Sequence, residues 1–158
     1  MLLLVAWASA ACGSRIEGGV FHSPKGYRVT LPANEGWEVA ADGPADLVLR
    51  RRATRAGILA HATCEGRAPT RSLSVLARHL TFGIQGKEIR ERRELALAGH
   101  QALWVRLEGS LDKAPVEVEA YVVKGRECVY DLIYVAPPTE FASGVEDFRA
   151  FVGSFAGP

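Results

Sequence analysis

Between residues 26 and 64, apolar and polar positions alternate in short runs broken by turn-forming residues. Residues 26–31 (GYRVTL) follow a period of two and stop at Pro32. Residues 37–41, 46–50 and 57–64 continue the pattern, separated by Asn34-Glu35-Gly36, Asp42-Gly43-Pro44 and a basic stretch from Arg50 to Arg55. Successive side chains of a strand point to opposite faces, so this pattern predicts hairpin-linked strands of an antiparallel sheet. The period changes at Ser72. Leu73, Leu76, Ala77, Leu80 and Ile84 recur at helical spacing behind Ser72 as N-cap, which predicts an amphipathic helix over 72–84. Four longer strand patterns follow at 89–97, 102–111, 115–124 and 127–136, with Gly99-His100, Asp112-Lys113 and Gly125-Arg126 at the turns. Pro137-Pro138 ends the meander. Phe141, Val145, Phe148, Val152 and Phe155 then form one stripe of a closing helix over 139–155. The order predicts an α+β fold, an antiparallel β-sheet meander sandwiched by two main helices.

Register follows from the turns. A two-residue turn at Asp112-Lys113 sets Arg106 opposite Glu119, Trp104 opposite Tyr121 and Glu108 opposite Glu117, while Leu107 meets Val118 on the other face. A turn at Gly125-Arg126 brings Tyr121 opposite Tyr130 and Val122 opposite Val129. One face is then aliphatic and the other aromatic and charged. On the mixed face, Trp104, Arg106, Tyr121 and Tyr130 are the candidate ligand- or partner-binding residues, because aromatic rings offer large contact area and a guanidinium presents a planar fork. The plainer expectation is that a helix covers the aromatics and that Arg106 pairs with Glu119 across the strands. Asp131 stands on the aliphatic face among Val129, Ile133 and Val135. Burial there raises a carboxyl's pKa unless a cation or backbone donors compensate.

The first twelve residues, MLLLVAWASAAC, change the picture of compartment. The apolar run is too short to cross a bilayer of about 30 Å and ends in small residues. It resembles a bacterial lipoprotein signal cut before Cys12, which then carries lipid; a plain secretory cut near Ala11 is the alternative. This divides the chain into a signal peptide at 1–11, a lipid-anchored linker at 12–25 and one domain at 26–158. By resemblance to Gram-negative lipoprotein sorting, Gly13 after the cysteine, rather than Asp, implies the outer membrane. The membrane, through the lipid, and an envelope protein are the expected partners.

Composition adds little beyond one globular domain: of 158 residues, 48% are hydrophobic and 23% charged. A net charge of +1 offers no polyelectrolyte handle, so nucleic acid is not an expected partner. With Cys12 assigned to lipid, Cys64 and Cys128 remain, and an exported compartment favours a disulfide between them. The alternative is an exported enzyme or metal-binding protein using Asp131, His61 and Cys64, since His61 lies three residues before Cys64. No paired catalytic motif or phosphate loop occurs, and no cofactor is expected.

Gly26-Tyr27, Leu31-Pro32 and Gly36-Trp37, with Tyr130-Asp131-Leu132-Ile133-Tyr134 before the closing helix, resemble the opening and end of the PsbP-like and DcrB-like exported domains. Small bacterial lipoproteins that keep cysteines at the positions of Cys64 and Cys128 look similar. The resemblance implies an antiparallel sheet between helices and an accessory, non-catalytic binding role; it transfers no site residue.

Overall fold

The computed structural model describes residues 13–41 and 43–158; the apolar N-terminal run and Cys12 lie outside them. Among the described residues two antiparallel sheets form. The larger has the order β4-β5-β6-β10-β9-β8-β7. Its strands are β4 (Trp37–Val39), β5 (Leu47–Arg51), β6 (Gly57–Cys64), β7 (Gln85–Leu97), β8 (His100–Leu111), β9 (Ala114–Lys124) and β10 (Cys128–Ala136). The smaller joins β1 (Arg15–Glu17), β2 (Val20–His22) and β3 (Arg28–Thr30).

The stretch read as a linker is thus structured over much of its length. Gly18 and Gly19 take φ of 56° and 76°, the left-handed geometry of a two-residue hairpin turn, and Phe21 enters the core at 3% exposure. The β8–β9 register is the expected one, with Arg106 opposite Glu119 and Trp104 opposite Tyr121. The turn before β8 centres on Ala98 and Gly99, one residue earlier than expected, since Leu97 pairs with His100. The turn before β10 centres on Arg126 and Glu127. This sets Val122 opposite Asp131 and Val123 opposite Tyr130, a slip of two that leaves every side chain on its expected face. Gly125 lies before that turn for a packing reason: a Cβ there would sit 2.6 Å from the Tyr130 ring and 2.9 Å from the Pro158 carbonyl oxygen.

The main core lies on the aromatic face. Helix α2 (Val145–Gly153) buries Phe148, Phe151 and Val152 against Tyr134, Leu132 and Ile58, while Phe155 covers Tyr130 with ring centres 5.0 Å apart. The expected single closing helix is broken at Gly144, preceded by a 3-10 turn over Phe141–Ser143. A Cβ at Gly144 would lie 2.7 Å from the Tyr134 hydroxyl, which donates to the Phe141 carbonyl at 3.0 Å. On the aliphatic face, α1 (Leu73–Leu80) packs Leu76, Ala77 and Leu80 over β8 and β9, capped by Ser72 Oγ accepting from Val75 N–H. It ends at Leu80, short of Ile84, with the Thr81 N–H and hydroxyl both donating to the Ala77 carbonyl and with Phe82 exposed.

One ion pair ties α2 to the sheet. Glu119 is fully buried and accepts two bonds from Arg149, Nε to Oε1 at 3.0 Å and Nη2 to Oε2 at 2.8 Å. Arg106 therefore does not pair with Glu119; its Nε donates to Glu117, the diagonal neighbour, at 2.7 Å. Removing one partner of a buried pair leaves an uncompensated charge. Arg149→Ala is expected to cost about 2 to 4 kcal/mol in urea unfolding, less than a fully buried pair because the Arg149 side chain is 40% exposed. Arg149→Lys, which lacks the bidentate fork, is expected to recover only part of it.

Candidate ligand cleft

The structure brings three of the four candidate residues of the mixed face together. Trp104, Arg106 and Tyr121 line one depression with Arg93 and Arg149. Tyr130 is elsewhere, fully buried beneath Phe155 and Tyr27. Within the depression the charges already answer one another. Arg106 meets Glu117, Arg149 meets Glu119, and Arg93 lies over the Trp104 ring at 5.1 Å. The Tyr121 ring packs against Phe148 at 6.0 Å. Arg149 was not legible from sequence, since it flanks the apolar stripe of α2 and acts only once that helix is docked.

The aliphatic face holds a different arrangement. Between α1, the loop leading into it and strands β6 and β10 lies a cleft of about 400 Å3, within the range of small-ligand sites. Val129, Leu76 and Leu80 line it with apolar surface, and Thr63, Arg71 and His79 bring polar groups. Arg67 and Glu65, also lining, pair with each other at 3.5 Å. Asp131 opens into this cleft from β10. Among the described residues no hydrogen bond or ion pair reaches its carboxylate, and burial pushes the carboxyl up to about 7.

Asp46, in the bend just before β5, shows what compensation looks like. Burial pushes its carboxyl up, but hydrogen bonds from Lys25 Nζ at 2.7 Å, the Ala62 N–H at 2.8 Å and the Tyr27 hydroxyl at 3.0 Å hold it below the usual carboxylate range. The cost appears on Tyr27, whose hydroxyl is raised well above its ordinary value by burial and by the Asp46 charge. His61 is the direct cross-strand neighbour of Asp131, yet its Nδ1 lies 3.4 Å from an Asp46 oxygen. Cys64 and Cys128, opposite each other in the β6–β10 register, form a disulfide. The reading of Cys64 as a thiol nucleophile or metal ligand is therefore corrected: its sulfur is committed to Cys128. Among the described residues no three His, Cys, Asp or Glu side chains gather to hold a metal ion.

No protein-family model matches the sequence, and no curated protein does. Solved structures do match. The cyanobacterial PsbP (CyanoP) of Synechocystis sp. PCC 6803 is similar over 99% of this chain and 99% of its own, with TM-score 0.63 at 12% identity. LpqN, involved in cell envelope biogenesis of Mycobacterium tuberculosis, is similar over 92% of this chain and 90% of its own, with TM-score 0.63 at 13% identity. A Pseudomonas aeruginosa protein of unknown function matches over 83% and 91%, with TM-score 0.55 at 15% identity. At such identities the likeness is one of fold. The seven-strand antiparallel sheet, the helix on each of its faces and these neighbours together make the chain an α+β protein of the PsbP-like fold.

Proposed function

We propose that this chain is an exported accessory protein, tethered to the outer membrane by lipid on Cys12, whose folded domain binds its target without transforming it. The contact is the Asp131 cleft. The observation that carries the reading is the carboxyl of Asp131, which opens into a cavity of about 400 Å3 without a compensating donor. An ionisable group whose pKa is perturbed by burial and which opens into a cleft is a functional-site candidate. Among the described residues none of the polar side chains of the cleft bonds to Asp131, so the target we infer presents an amide or ammonium group to that carboxyl on a partly apolar body. Support for the compartment comes from the Cys64–Cys128 disulfide, which persists in oxidising surroundings, and from the envelope role of LpqN. Among the described residues no helix is long and apolar enough to cross a membrane. The depression of Trp104, Arg106 and Tyr121 offers a second contact surface for a protein partner, favoured by the half-exposed Arg149 at its rim.

Two measurements test this. Mass analysis of the mature N-terminus is expected to show acylated Cys12; an unmodified Cys12 would remove the tether. A photo-crosslinking residue at Arg71, which lines the cleft, is expected to capture an envelope component that the same group at exposed Glu35 does not. Asp131→Asn is expected to reduce that capture by tenfold, and equal yields with and without Asp131 would overturn the assignment.

A further inference from the structure

Helix α1 crosses the aliphatic face without covering it and leaves a cleft on each flank. The flank away from Asp131 opens over β7 and β8. Leu103, Val105 and Leu107, successive residues of β8 on this face, form its floor and are 1%, 4% and 1% exposed. Ala77 of α1 and Ile89 of β7 wall it on either side, and Ile89 remains 57% exposed. The cavity measures about 370 Å3, near the small end of ligand sites. Three cations, Arg78, Lys87 and Arg92, stand around its mouth, and no carboxylate lines it.

Charge distribution sets this cleft apart. Across the sheet and along its edge, Arg90 meets Glu88 and Glu108, Arg93 meets Glu91, Arg106 meets Glu117 and Arg149 meets Glu119. Among the described residues Arg78, Lys87 and Arg92 make no ion pair with any carboxylate. Lys87 Nζ donates instead to the Thr81 carbonyl at 3.0 Å, and Arg92 donates to Ser74 Oγ, so both are fixed at the mouth by neutral partners. Like charges gathered without counterions repel one another, and a bound anion relieves that repulsion. Ile89, 57% exposed at the wall of the cleft, gains from an apolar chain laid against it.

Both terms are met by one kind of molecule, an acyl chain ending in an anion. We propose that this cleft binds a single-chain fatty carboxylate, its chain along Leu103, Val105 and Leu107 and its headgroup among Arg78, Lys87 and Arg92. The planar guanidinium groups match a carboxylate in two-point geometry. The site lies on the opposite flank of α1 from Asp131, so it stands or falls separately from the reading of that cleft.

Fluorescence titration of the full-length chain with cis-parinarate tests it. Saturable binding is expected, displaced by dodecanoate but not by dodecanol or inorganic phosphate at equal concentration. The exposed double variant Arg78→Glu/Arg92→Glu is expected to weaken parinarate at least tenfold with an unchanged thermal midpoint. Ile89→Gln, which leaves the charges in place, is expected to weaken it about threefold to tenfold. Absence of saturable binding, displacement by phosphate alone, binding only to anionic phosphatidylglycerol vesicles, or unchanged affinity in the charge-reversed variant would each overturn the proposal.

Discussion

Replacing Cys64 and Cys128 together by serine is expected to lower the stability of the domain by about 4 kcal/mol, which the chain-entropy model gives for a cross-link spanning 64 residues. The enclosed segment carries α1, β7, β8 and β9, so most of the large sheet is closed by this one bond. For a domain of this size, that corresponds to a drop of roughly 10 °C in thermal midpoint. Urea unfolding of oxidised wild type against the double variant measures it, and a loss below about 1 kcal/mol would contradict the estimate. The bond also bears on the Asp131 cleft. Thr63 and Glu65 flank Cys64, Glu127 and Val129 flank Cys128, and all four line that cleft. The double variant is accordingly expected to weaken crosslinking from Arg71 even under conditions where it remains folded.

Asp131→Asn is expected to stabilise the protein at pH 8 and to leave it unchanged at pH 4. An aspartate in the unfolded chain loses its proton near 3.9, whereas Asp131 in the folded chain keeps its proton to about 7. Between these values the folded state holds the extra proton, so stability is fully present below about pH 4 and falls as pH rises toward 7. A separation of about three pH units amounts to roughly 4 kcal/mol, and solvent access at the cleft mouth brings the expected gain for asparagine to about 2 to 4 kcal/mol. Urea unfolding at pH 4, 6 and 8 reads the effect. A variant no more stable than wild type at pH 8 would mean that a donor or cation already satisfies the carboxylate. A stabilising substitution at a residue that weakens target capture is the signature of a group retained for binding rather than for folding.

Local patterns made much of this fold legible. The eight-residue alternation ending at Cys64 matches β6 over Gly57–Cys64, Ser72 caps α1, and Asp112-Lys113 sets the β8–β9 register. Each of these rests on residues that interact within one hairpin or one helical turn. The differences arise where distant chain intervenes. Gly125 reads as a turn centre, yet it is glycine because Tyr130 and the C-terminal Pro158 crowd it. The small sheet is anchored from afar, since β3 bridges through Arg28 to Ala156. Arg106 sits opposite Glu119 as expected, but Arg149 arrives from α2 and takes that carboxylate, leaving Glu117 to Arg106. Asp131 was visible as a lone carboxylate on an aliphatic face. Its cleft was not, because the cavity exists only where α1 and the loop before it leave β6 and β10 uncovered.

The Asp131 cleft is a binding site only if that carboxyl is uncompensated. Carbon-13 NMR titration of the Asp131 side-chain carboxyl, with the resonance assigned by Asp131→Asn, measures this without perturbing the fold. The structure predicts a midpoint near 7, raised by burial alone. A midpoint near 4, the ordinary range for an aspartate, would mean that a partner or solvent already satisfies it and would contradict the Asp131 cleft as the binding site.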